Sequence, residues 1–164
     1  MSDANDAIDR HAVCGETEAG STAANRICGE CTACCTVMGV RELNKAPYQP
    51  CPHECGRCAI YESRPATCRS YRCAWLLGSI EGGEECRPDK LGLLLNRDQL
   101  AGRSITTVHQ LRLGAAKEPD KKNLLHKISL EMPVVLIEYE TGRCEVISPD
   151  RQARASIRQL LEED

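Results

Sequence analysis

The chain has 164 residues, 41% of them apolar and 27% charged, with a formal charge of −3, a size that fits one domain with at most a small appendage and excludes two large ones. The negative balance and a pI near 5.9 lack the cationic footprint that phosphate backbones and anionic membranes require, so neither nucleic acid nor a membrane is expected as a partner. Aromatics are only 3%, with no Phe, which leaves the core to Leu, Ile and Val, while 12 cysteines are several times the usual share.

Residues 1–26 are rich in Asp, Ala, Glu, Gly, Ser and Thr. They cannot bury enough surface to offset the entropy of ordering, and are predicted as a disordered N-terminal arm. Asp3, Asp6 and Asp9 stand where an export signal needs a basic start followed by an apolar stretch. No run approaches the roughly 18–20 apolar residues of a membrane span. A cytoplasmic location is therefore expected. Thiols stay reduced there, which argues against an exported, disulfide-stapled protein and for close-spaced thiolates that hold metal.

The predicted metal-binding module covers residues 27–80. It carries nine cysteines between Cys28 and Cys73, along with Pro47, Pro50, Pro52 and Pro65. The first cluster is Cys28-Gly-Glu-Cys31-Thr-Ala-Cys34-Cys35. Two-residue gaps let successive thiolates converge on one ion within a turn of chain, and a helical backbone would also gather them on one face. The second cluster is Cys51-Pro-His53-Glu-Cys55-Gly-Arg-Cys58, where Gly56 permits a tight turn that aims Cys55 and Cys58 the same way, and where His53 is a weaker ligand candidate. The third places Cys68 and Cys73 on a helix predicted from about Pro65 to Leu77, with Cys68, Tyr71 and Trp75 on one face. Cys73 lies roughly 140° away from Cys68 on such a helix, so it either serves a second centre or packs. Within the block Arg41, Lys45, Arg57, Arg64, Arg69 and Arg72 outnumber Glu30, Glu42, Glu54 and Glu62. That excess offsets the negative charge of a thiolate centre and makes Arg64, Arg69 and Arg72 candidate donors to sulfur.

Past Gly82-Gly83 the pattern changes, and residues 86–164 are predicted as the α+β part of the same compact domain. Strands are expected at Lys90 to Asn96, Ile105 to Leu111, Pro133 to Tyr139 and Arg143 to Ile147, with a hairpin turn at Glu140-Thr141-Gly142. A helix is expected from about residue 119 to 131, opened by Pro119 and carrying Leu124, Leu125, Ile128 and Met132 at helical spacing. A last helix is expected to start at Ser148-Pro149, with Ile157, Leu160 and Leu161 on one face. The fold class is thus α+β, a Cys-rich metal-binding module with short helices beside a small, mainly antiparallel sheet with two helices. Cys14, Cys86 and Cys144 have no partner at ligand spacing and are left out of the site.

The C-x-x-C-x-x-C-C string at 28–35, then Cys51, then Gly56-Arg57-Cys58-Ala-Ile-Tyr61-Glu-Ser-Arg64-Pro65-Ala-Thr-Cys68-Arg69, resembles the YkgJ-type cysteine-cluster family. That family is described as a zinc- or iron-chelating domain and includes flagellin lysine N-methylase. The resemblance spans residues 28 to 77 and implies ligands at Cys28, Cys31, Cys34, Cys35, Cys51, Cys58 and Cys68. Cys55 and Cys73 are additions to its pattern, kept as candidate ligands.

The expected function is zinc or iron chelation through thiolates of residues 28–73, with the metal ordering its half of the chain and the sheet half offered to a protein partner. The alternative is an iron-sulfur protein with a redox or methyl-transfer role. Cys28, Cys31 and Cys34 match the first three positions of a ferredoxin run, but the Cys-Pro that should come next is remote, at Cys51-Pro52. A third possibility is an enzyme with an open metal position or an activated thiolate. No Gly-rich phosphate loop, H-E-x-x-H or G-x-S-x-G is present to support a specific reaction.

Overall fold

A computed structural model of the chain describes residues 26–138 and 140–163. The predicted arm up to residue 25, with Cys14, and Tyr139 at the end of the third predicted strand lie outside the described residues. A four-stranded sheet organises the rest: β1 Leu93–Leu100, β2 Arg103–Gln110, β3 Val134–Glu138 and β4 Arg143–Ile147, adjacent in that order. β1 and β2 pair antiparallel with Leu95 opposite Val108, and β3 and β4 do so with Val135 opposite Val146. β2 and β3, however, run parallel, with Val108 opposite Leu136. The sheet is therefore mixed, which corrects the mainly antiparallel expectation. The cause is the connection. Five short helices stand in the order α1 Ala33–Val37, α2 Ala66–Ser70, α3 Pro88–Leu91, α4 Pro119–Glu131 and α5 Arg151–Glu162. α4 lies between β2 and β3 and carries the chain back across the sheet, as parallel neighbours require.

α4 has the predicted ends, with Pro119 in its first turn and Leu124 and Leu125 buried. The first predicted strand begins late. Residues 88–91 form α3, closed by Gly92 at φ +76, where a Cβ would stand 3.3 Å from that of Ala115. β1 then continues to Leu100 and turns into β2 through Ala101 and Gly102, both at positive φ, the geometry that matches the twist of a two-residue hairpin. The 140–142 turn and β4 lie where expected. α5 starts later than the Ser148 reading, because the Asp150 carboxylate accepts from the N–H groups of Gln152 and Ala153 at 2.8 and 3.1 Å. Asp150→Ala should cost about 1 kcal/mol, since those donors lose their cap; chemical denaturation of the two proteins side by side reads it.

Both faces of the sheet are covered. Val108, Val134 and Leu136 join Leu124 and Leu125 of α4 in the larger core, while Ile105, Val135 and Val146 close on Ile157 of α5. β2 is accordingly buried from Ile105 to Gln110, as a strand sandwiched on two sides must be. No described helix is long and apolar enough to cross a membrane.

The cysteine block docks on the β1 edge. Ala74 N–H donates to Leu95 O at 2.8 Å, Tyr71 donates its hydroxyl proton to Asn96 Oδ1, and Trp75, 3% exposed, donates Nε1–H to Gly83 O at 3.0 Å. This docking explains why the helix expected to reach Leu77 stops at Ser70. Tyr71 is extended, at φ −72 and ψ 133, so that Cys73, Ala74 and Trp75 enter the core. Arg26, placed in the arm by the sequence, is anchored instead. Its guanidinium donates to the carbonyls of Trp75, Ile80 and Gly82 at 2.7 to 2.9 Å and lies 5.3 Å from the Trp75 ring centroid.

Tyr48 crosses from the block to β2, where its Oη hydrogen-bonds His109 Nδ1 at 2.8 Å. Burial pushes the His109 pKa below its ordinary value, while Asp98 opposes weakly. The unfolded chain takes up a proton as pH falls through about 6.5 and the folded ring does not, so stability present above that pH is lost below it. Thermal unfolding at pH 7.5 and 5.5 should show a larger acid loss for the native chain than for His109→Gln. Equal losses would remove His109 as the cause.

Candidate metal centre

Four stretches of chain build the site. In the first, Cys31 N–H bonds Cys28 O at 2.9 Å, and Cys35 N–H bonds Thr32 O at 2.8 Å. α1 turns Ala33 and Val37 into the core and leaves Cys34 and Cys35 half-buried on its other side. The second stretch is a loop closed by reciprocal Val40 and Lys45 backbone bonds at 2.9 and 3.0 Å. Lys45 is 6% exposed and its ammonium donates to the carbonyls of Thr36, Met38 and Ala46, which ties the end of α1 to this loop.

Third, Cys51 and Cys58 flank turns set by Glu54 N–H to Cys51 O and Ala59 N–H to His53 O, at 3.0 and 2.9 Å. Gly56 adopts φ +75, so the tight turn is present as expected. Fourth, α2 carries Cys68. The Glu42 carboxylate accepts from Thr67 N–H at 3.1 Å and from its hydroxyl, fastening α2 to the second stretch.

Cys28, Cys31, Cys34, Cys35, Cys51, Cys58 and Cys68 line one cavity of about 40 Å³, with Lys45, Arg64, Met38, Val40, Leu43, Ile60 and Tyr71 among the other walls. Neither carboxylate nor imidazole lines it. Its donors are thus chiefly soft sulfur, with the Tyr61 and Tyr71 side chains and the Lys45 ammonium also in the wall, and a sulfur-rich set suits zinc, iron-sulfur clusters or cuprous ion. Among the described residues no three His, Cys, Asp or Glu side chains stand in a metal-ligating arrangement. The sulfurs share a cavity without being drawn together at ligand distance.

No family model, curated protein or solved structure matches the chain.

The other candidates lie elsewhere. Cys55 is exposed and its thiol faces Arg57 O, so the Gly56 turn does not aim it with Cys58 into the cavity. Cys73 is buried in the larger core with Trp75 and Val37, the packing role rather than the second-centre role. His53 does not line the cavity. Cys144 is exposed on β4, and Cys86 is fully buried and disulfide-bonded. Of the three arginines, Arg64 lines the cavity, donating to Tyr61 O at 2.8 Å with its guanidinium 3.6 Å from that ring centroid. Arg69 braces the Arg64 carbonyl and Arg72 is exposed.

The thiols do not share one protonation behaviour. A hydrogen bond to Cys35 and then burial hold the Cys34 proton far above the usual thiol range. Cys35, the acceptor of that bond, is lowered to about 7, with the Lys45 ammonium helping. Burial pushes Cys31 up to about 11 and raises Cys58 and Cys68. Cys35 is therefore the thiol readiest to act as thiolate near neutral pH, and a thiolate is what a metal binds.

Two neighbours of the sulfurs escaped sequence reading. Lys45 reads as one more solvated cation, and only the loop that buries it gives it a place among sulfurs. Asp89, in the first turn of α3, faces Cys31 from 58 residues away while pairing with Arg87 at 2.6 Å, a juxtaposition that no local spacing announces.

Proposed function

We propose that this protein acts in the cytoplasm and chelates zinc or iron through the thiolates of Cys28, Cys31, Cys34, Cys35, Cys51, Cys58 and Cys68, all seven of them free of disulfides. The observation that carries this reading is that seven cysteine sulfurs from three separated stretches line one small cavity whose wall holds neither carboxylate nor imidazole. The seven are also those implied by the resemblance to the YkgJ-type family, whereas Cys55 and Cys73 lie outside the cavity.

The residues fit a thiolate-bound ion by donor chemistry. Such an ion would supply a redox-inert cross-link if zinc, or electron transfer if an iron-sulfur cluster. The chain's own part is to bring the sulfurs to one cavity, to fix a positive charge at Lys45 and to line the rest with the apolar Met38, Val40, Leu43 and Ile60. Because the block from 28 to 73 has few large apolar side chains, ligation there would also be folding energy.

Elemental analysis together with an absorption spectrum, on protein prepared reduced and without oxygen, tests the reading. Stoichiometric zinc in a colourless protein, or iron with absorption near 400 nm, is expected. Protein that carries neither and takes up neither when offered ends it.

A further inference from the structure

We propose that the cysteine cavity holds two metal ions sharing one thiolate, with Cys35 as the bridge between a Cys28, Cys31, Cys34 end and a Cys51, Cys58, Cys68 end. The inference rests on the chelating reading and adds how many ions are held and by which sulfurs.

Number is the first argument. A tetrahedral thiolate site closes with four sulfurs, so a single ion strands three of the seven cavity thiols in a partly buried wall. Two tetrahedra that share a corner use seven ligands, the number that lines the cavity.

Grouping is the second, and it is independent of the count. The sulfurs acting most strongly on Cys34 are those of Cys35, Cys28 and Cys31. Those acting on Cys58 are Cys35 and Cys51, and those acting on Cys68 are Cys35, Cys51 and Cys58. Cys35 is the sulfur common to both sets. Its place in the chain explains this. Adjacent residues on α1 diverge by about 100°, so Cys34 and Cys35 leave the helix toward different ends of the cavity.

Room and charge agree. A water-sized body needs roughly 10–15 Å³ of such volume, so about 40 Å³ accommodates two bare ions, whose sulfurs form the wall. Two divalent ions with seven thiolates carry a net charge of about −3. The Lys45 ammonium lies beside Cys51, Cys35, Cys34 and Cys68, central to both sets, and Arg64 stands by Cys58.

The experiment titrates the reduced, metal-free full chain with Zn²⁺ against a chromophoric chelator, then with Co²⁺ followed by visible absorption and electron paramagnetic resonance. Expected are two ions per chain, sulfur-to-cobalt absorption that rises through two equivalents, and a high-spin cobalt resonance that weakens as the second ion enters, because a shared sulfur couples the spins. Cys31→Ser and Cys68→Ser should each retain one ion. One zinc per chain in the native protein overturns the proposal and leaves the chelating reading intact, as does a four-iron cluster with sulfide in protein as isolated. Two cobalt ions with undiminished resonance overturn the bridge. Failure to bind any ion removes the chelating reading itself. The native chain decides the count even where a serine variant fails to fold.

Discussion

Cys34→Ser is expected to lower metal affinity by at least about 100-fold, roughly 2.7 kcal/mol, and to lower the unfolding midpoint of the metal-loaded protein with it. Cys34 is the member of the α1 pair that faces Cys28 and Cys31, so its loss opens one end of the cavity. The neutral hydroxyl that replaces it is a poor ligand for a soft site. Metal bound to the native state and not to the unfolded chain stabilises by mass action, which links the two readouts. Metal content by elemental analysis and melting by circular dichroism check the prediction. Full metal content with unchanged melting would contradict the assignment of Cys34 as a ligand. The metal-free forms of the two proteins should melt nearly together, since a serine at this half-buried position changes little else.

Trp75→Ala should be the most damaging single change outside the cysteines, at about 3–5 kcal/mol, or a midpoint lower by roughly 6–20 °C for a chain of this size. Trp75 is the sole tryptophan, is 3% exposed, fills the join between the cysteine block and β1, and carries the Arg26 guanidinium against its ring. Truncation leaves a cavity in the larger core and an acceptor at Gly83 O without its indole partner. Circular dichroism against temperature measures it, since the substitution removes the chain's only indole fluorophore. A shift below about 3 °C, under 2 kcal/mol by the same conversion, would mean that the block is held to the sheet by something other than this contact.

These outcomes bear on how much was legible beforehand. The spacing of the cysteines carried most of the site. Two-residue gaps and a doublet are local features, and local geometry suffices to bring Cys28, Cys31, Cys34 and Cys35 to one wall. Cys55 and Cys73 were not separable from the rest by spacing, because what decides them is tertiary. Cys73 is drawn into the core by the Ala74 to Leu95 bond, and Cys55 is turned outward at a loop tip. The same docking cut short the helix expected through Leu77, whose apolar residues serve a sheet edge and not a helix face. In the sheet, the apolar runs located all four strands, and the 119–131 helix was read with its observed ends. What was misjudged was the consequence of that helix. A thirteen-residue helix between two strands is the connection that parallel neighbours use, so the element order itself carries the mixed pairing that the mainly antiparallel expectation misses. Lys45 and Asp89 were beyond reach, since neither the burial of Lys45 nor the meeting of Asp89 with Cys31 across 58 residues leaves a periodic trace.

That parallel seam also sets an order of events for the newborn chain. Each hairpin can zip outward from its own tight turn within a few residues of separation, but joining β2 to β3 must wait until the intervening stretch has looped back, a slower closure that spends entropy before any contact rewards it. The seam is therefore the step expected to limit how fast the sheet assembles. Shortening or stiffening the segment between Gln110 and Pro119 should quicken refolding while leaving either hairpin's own formation unchanged.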